Sequence, residues 1–253
     1  VSLHRRGQQH VCAHSQNRPG DRRLTQVGPT RKAMGAPVDV ATNAFDLQDL
    51  SIAYQGVTAL QGICLRIEMG EKVVLIGPSG AGKSTLLRHL QELSSRDSAL
   101  IHQDYALVPQ LSTFHNIYAG RLDSHTSWQN LRTLLRPHPA DVAAVQPILE
   151  ALDLADKAHD RVQSLSGGQQ QRVAVGRAVF RDSQILLGDE PVSAIDPHQA
   201  GRVLELIKQS ASTVVLAMHD VQLALEHFPR AIALRDGQIV FDLPAEQVDP
   251  ETL

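Results

Sequence analysis

Only two cysteines, Cys12 and Cys64, occur in 253 residues. They offer no disulfide framework and fit a reducing compartment. No apolar run approaches the ~20 residues that a membrane-spanning helix needs, so any membrane role has to come through a partner. Neither an internal repeat nor a low-complexity tract is visible, and the histidines show no metal-ligand spacing. What the chain does have is the make-up of an ordinary globular domain, 42% hydrophobic and 20% charged, with length enough for one large core that carries an inserted subdomain.

The net charge of -3 hides an asymmetry. Residues 1–33 hold seven Lys/Arg and one acid, Asp21, and the remaining chain is net acidic. An acidic body argues against nucleic acid as the main partner. The basic head lacks the apolar stretch of a secretory signal and has no periodicity, so residues 1–43 are read as a disordered extension. Met34 is the expected start of translation.

From residue 45 the pattern changes. Residues 45–54 and 62–67 contain period-two apolar stretches, and 72–76 is a short apolar strand ending at Gly77. Residues 84–93 predict a helix with Leu86, Leu87, Leu90 and Leu93 on one face. A helical insert is expected at about 111–164, with Pro147 as a possible kink in its helix over 141–154. Strands at 184–187 and 213–217 then alternate with helices at 198–210 and 221–227. A hairpin over 231–241 turns at Asp236-Gly237. Such alternation implies a mixed, mainly parallel sheet covered by helices, an α/β fold.

Gly77-Pro78-Ser79-Gly80-Ala81-Gly82-Lys83-Ser84-Thr85 fits the phosphate-binding loop between a strand and a helix. Its glycines let backbone N–H groups curl around phosphates, and the helix N-terminus adds partial positive charge. Lys83 is the side chain for the β/γ-phosphates, and Ser84 carries the hydroxyl for Mg²⁺. Asp189 and Glu190 end a buried strand: the first suits Mg²⁺, the second suits a general base that polarises water. Leu165-Ser166-Gly167-Gly168-Gln169 opens a further helix. Read alone, a Ser and two glycines there make either a helix cap or a second anion site.

Taken in order, these motifs resemble the ATP-binding cassette (ABC) family over about residues 45–245. The resemblance implies a P-loop NTPase core spanning 44–253, with an antiparallel β subdomain and an inserted helical subdomain. It also implies that Ser166, Gly167, Gly168 and Gln169 serve the ATP held by a second copy of the domain in a head-to-tail dimer. Gln103 is implied to contact Mg²⁺ and the attacking water, and Asp196 to cross the dimer interface, although Asp196 would also cap the helix that follows it. His219, which alone would read as structural, resembles the family's γ-phosphate switch. Tyr54, otherwise an ordinary strand residue, resembles the adenine-stacking aromatic. The implied catalytic set is Lys83, Gln103, Glu190 and His219, the cofactors are ATP and Mg²⁺, and no structural metal is expected beyond that ion.

One cassette without membrane helices resembles the separate ATPase subunit of an importer, peripheral on the cytoplasmic face of the membrane. Its partners would be permease subunits, contacted near residues 108–116, and indirectly a solute-binding protein. Asn116-Ile117-Tyr118-Ala119-Gly120-Arg121-Leu122, Thr126-Ser127-Trp128 and the Leu165–Arg172 stretch resemble the phosphonate importer ATPases. An importer of another small solute, a soluble cassette ATPase and a module that binds ATP without hydrolysing it are the alternatives. The chain departs from the family's pattern between Lys83 and Gln103, which are only 20 positions apart. Part of the antiparallel subdomain is therefore expected to be shortened or missing.

Overall fold

A computed structural model describes residues 43–94, 98–124 and 126–249. The readings of the basic head, of its cysteine and of Met34 fall outside the described residues.

Two long strands open the fold, β1 (Asn43–Tyr54) and β2 (Val57–Glu68). They form an antiparallel pair closed by Gln55 and Gly56, both left-handed. This two-stranded sheet is the whole of the antiparallel layer that pairs separately from the main sheet among the described residues. Cys64 lies in β2, where its Sγ accepts from the Asp49 N–H at 3.4 Å.

The main sheet begins with β3 (Lys72–Ile76), which leads through the glycine-rich loop into α1 (Lys83–Ser94). Next comes β4 (Ser98–Ile101), a short strand beyond those expected from the sequence. Helices α2 (Thr113–Tyr118), α3 (Ser127–Leu135) and α4 (Pro139–Ala151) occupy the region of the expected insert, with Pro147 inside α4. Then follow α5 (Gly167–Phe180), β5 (Ile185–Asp189), α6 (Pro197–Ser210), β6 (Thr213–Ala217), α7 (Val221–His227), β7 (Arg230–Arg235) and β8 (Gln238–Pro244).

The six strands are ordered β4-β5-β6-β3-β7-β8, and every pairing is parallel except β7 with β8. Asp236 and Gly237 turn that hairpin with positive φ, as a tight turn between twisted strands requires. Because successive strand residues face opposite sides, Val73 and Leu75 pack under α1 and the β1–β2 pair, whereas Val74 and Ile76 join the core beneath the helices of the other face. Burial on both faces explains why the inner strands read as continuous apolar runs rather than alternating ones. Leu86, Leu87 and Leu90 are the buried face of α1, while Leu93, expected on that face, is exposed. Leu93 stands on the same stripe but in the last turn, since α1 ends at Ser94.

Candidate nucleotide site

The phosphate loop leaves β3 at the centre of the sheet, where the chain order reverses between β6 and β7. Carboxyl ends of parallel strands at such a point form a natural ligand crevice. Two glycines are sterically required there. Gly77 has φ 141°, and a Cβ on it would lie 2.1 Å from the Leu234 carbonyl oxygen. Gly82 has φ 101°, and its Cβ would meet the Ala59 carbonyl oxygen at 2.8 Å. The loop is thus pressed between β7 and β2. Gly77→Ala should therefore lower the melting temperature by about 10 °C and weaken ATP binding together. Thermal unfolding with and without ATP checks this, and an unchanged melting curve would contradict it.

Lys83 is only 7% exposed. Its ammonium donates to the carbonyls of Gly77 at 2.7 Å and Pro78 at 3.0 Å. The charge is thereby held inside the loop that would wrap the phosphates. Pro78, Ser79 and Gly80 form the exposed rim, and the first turn of α1 carries no acid to compete with an anion.

Ser84, Gln103 and Asp189 line one cavity of about 570 Å³, together with Leu87 and Arg88. A hydroxyl, an amide and a carboxylate thus face the same space. Among the described residues there is no cluster of three or more His, Cys, Asp or Glu able to hold a metal. This sparse oxygen set suits Mg²⁺, which retains waters and takes most of its other ligands from phosphates.

β5 runs one residue further than its apolar stretch and places Asp189 opposite Ala217 of β6. Glu190 follows with φ 51°, a left-handed conformation that costs a non-glycine residue about 1–3 kcal/mol unless its surroundings hold it. They do hold it: its N–H donates to the Ala217 carbonyl at 2.9 Å, and its carbonyl accepts from Gln171 Nε2 at 2.6 Å. The Glu190 carboxylate is 24% exposed and lies 3.7 Å from His219 Nδ1. Both residues line a second cavity with Ser193 and Met218.

Ser166 is the N-cap of α5. Its Oγ accepts from the Gln169 N–H at 3.3 Å, and Gln169 Oε1 accepts from the Ser166 N–H at 2.9 Å. This reciprocal capping box occupies both side chains. It leaves Ser166 and Gly167 facing outward rather than bonded to the phosphate loop of the same chain. Gly168 abuts the next loop, since a Cβ there would fall 2.6 Å from the Ala194 carbonyl oxygen. Asp196 caps α6 by accepting from the His198 N–H at 2.9 Å. Tyr54 stands half exposed at the end of β1, in the hairpin whose Ala59 and Leu60 touch Gly82.

Three polar residues, two buried and one half-buried, had not been singled out from the sequence for these contacts. Gln171 is one. Arg177 is another: it donates to the carbonyls of Tyr105, at 2.8 Å, and Ala106. Both of those residues are left-handed, so Arg177 fixes the bend of the loop that follows Gln103. Burial pushes the Arg177 pKa down, and Asp104 partly opposes that. Its signal was a charge inside the apolar stretch 173–179. The third, Asn116, ends the segment expected to face a permease but is buried, and it ties α2 to that loop through the backbone N–H and carbonyl of Val108.

Residues 60–193 match the ABC transporter family. A phosphonates import ATP-binding protein, PhnC 1 of Pseudomonas syringae pv. tomato, is 44% identical over 78% of this chain and 85% of its own length. PhnC of Pseudomonas putida is 40% identical over 83% of this chain and 88% of its own. Among solved structures, the dimeric bacterial ABC transporter cassette MJ0796 superposes with a TM-score of 0.70 at 26% identity, covering 79% of this chain and 98% of that one.

Proposed function

This chain belongs to the ABC transporter family, and from that membership we propose that it is the ATP-hydrolysing subunit of a membrane importer for a phosphonate. The observation that carries the reading is the meeting of Ser84, Gln103 and Asp189 in one cavity, beside the Lys83 loop and the Glu190–His219 pair. The names of the relatives support phosphonate as the cargo.

In this reading the loop 77–85 binds the phosphates of ATP, and Tyr54 stacks on adenine, worth about 1–3 kcal/mol by analogy with base–aromatic platforms. Ser84, Asp189 and Gln103 would hold Mg²⁺, which neutralises charge on the β- and γ-phosphates. Glu190 accepts a proton from the attacking water as the oxygen–phosphorus bond forms and the bond to the bridging oxygen of ADP breaks. His219, beside Glu190, would contact the γ-phosphate. Two copies close head to tail, so that the outward Ser166–Gln169 turn of each completes the site of the other and Asp196 lies at their interface. The solved dimer of MJ0796 supports that arrangement.

No helix of the described residues is long and apolar enough to cross a membrane; in this reading, which the importer relatives support, permease subunits supply the span and this subunit sits against their cytoplasmic face. A solute-binding protein would deliver the cargo. Helix α3 offers a surface to a partner, with Trp128 73% exposed beside Leu131 and Leu135. Growth provides the test. Supplied to a bacterium lacking its own phosphonate ATPase but retaining that permease, the full chain should restore growth on a phosphonate as sole phosphorus source. If growth fails while the purified chain hydrolyses ATP, the cargo assignment is wrong.

A further inference from the structure

Gln171 is 1% exposed, and every polar atom of its amide is engaged. Nε2 donates to the Glu190 carbonyl at 2.6 Å and to Ser193 Oγ at 3.1 Å. Oε1 accepts from the Ala194 N–H at 2.7 Å. The side chain begins on α5, one turn beyond the Ser166 cap, and ends on the peptide of the residue read as general base. Gly168 reinforces the same junction, since its close approach to the Ala194 carbonyl leaves no room for a Cβ. The first turns of α5 and the segment from Glu190 to Ala194 are thus packed as one unit.

That junction bears on chemistry because Glu190 is left-handed. A residue in that conformation keeps its side-chain direction only while its peptide is held. On the β6 side the Ala217 carbonyl holds the N–H. On the α5 side Gln171 holds the carbonyl, and Ser193 Oγ adds a longer bond of 3.2 Å. We propose that Gln171 is a positioning residue: it locks the Glu190 peptide to the Ser166 turn, so that the carboxylate keeps its aim only while that turn is in place. The inference rests on the reading of the chain as an ATPase with Glu190 as base. It makes Gln171 act through Glu190 and not on the nucleotide.

The test uses the full chain with Gln171→Met and Gln171→Glu. The first removes both polar ends of the clamp. The second keeps the shape and the acceptor for the Ala194 N–H but loses the amide donor, so it remains informative if the first fails to fold. Each folded variant should lose on the order of 100-fold in kcat, the usual consequence of misaiming a catalytic group. The KM for ATP should stay within about two-fold, because no nucleotide contact is removed. A purely structural role would lower the melting temperature and leave kcat per folded molecule unchanged. The proposal is overturned by a folded variant with kcat within about three-fold of the unaltered chain, or by a rise in KM as large as the fall in kcat. Lys83→Ala, run alongside, separates the two levels. If it is inactive while the Gln171 variants turn over normally, only the role of Gln171 fails. If it also turns over normally, the ATPase reading fails with it.

Discussion

Lys83→Ala should abolish ATP hydrolysis, with a loss of about 1000-fold or more in turnover. The ammonium is the one side-chain cation built into the loop, and the loop is sheltered enough that Lys83 is 7% exposed. A charge-assisted donor in such a place stabilises phosphoryl transfer far more than it would in water, and losing a single donor of this kind typically costs 100- to 1000-fold. The substitution also removes the bonds to the Gly77 and Pro78 carbonyls. Pro78 is exposed and Gly77 half-buried, so water can take over at least part of these bonds and only a small fall in melting temperature is expected. Circular dichroism separates that effect from the chemical one. A folded variant with near-normal turnover would remove the phosphate-loop assignment.

Glu190→Gln should bind MgATP and hardly turn it over, with a fall of about 1000-fold that matches the loss of a general base. Shape is conserved and the backbone clamp from Ala217 and Gln171 does not involve the side chain, so folding should be unaffected. The neighbouring His219 lies 3.7 Å away and is read as a contact to the γ-phosphate rather than as the base. Single-turnover measurement with excess protein checks this directly. Normal hydrolysis would require another base.

The parts of the site legible in the sequence are those whose chemistry is written in consecutive residues. The loop 77–85 and the carboxylate pair at the end of β5 are local motifs between a strand and its successor, and the fold puts them where that context demands. Two elements were legible only in outline. β4 has four residues and lies at the sheet edge, so its apolar signal was too short to assign. The β1–β2 turn at Gln55-Gly56 carries no strong hairpin dipeptide. The contacts of Gln171 and Arg177 were not legible, for a different reason. Their partners lie 19 and 72 residues away, and on a helix face a buried amide or guanidinium reads the same as an exposed one until the tertiary packing is known. The short Lys83–Gln103 interval led to the expectation of a reduced antiparallel layer, and among the described residues that layer is a two-stranded pair pressed on the phosphate loop.

The central claim is that each catalytic site is completed by a second copy. Size-exclusion chromatography of full-length Glu190→Gln at low salt, with and without MgATP, tests it most directly. A shift from monomer to dimer only when MgATP is present is the predicted result, since the outward Ser166 turn needs a partner's phosphates to engage. ATP binding without any change in size would contradict the shared-site account.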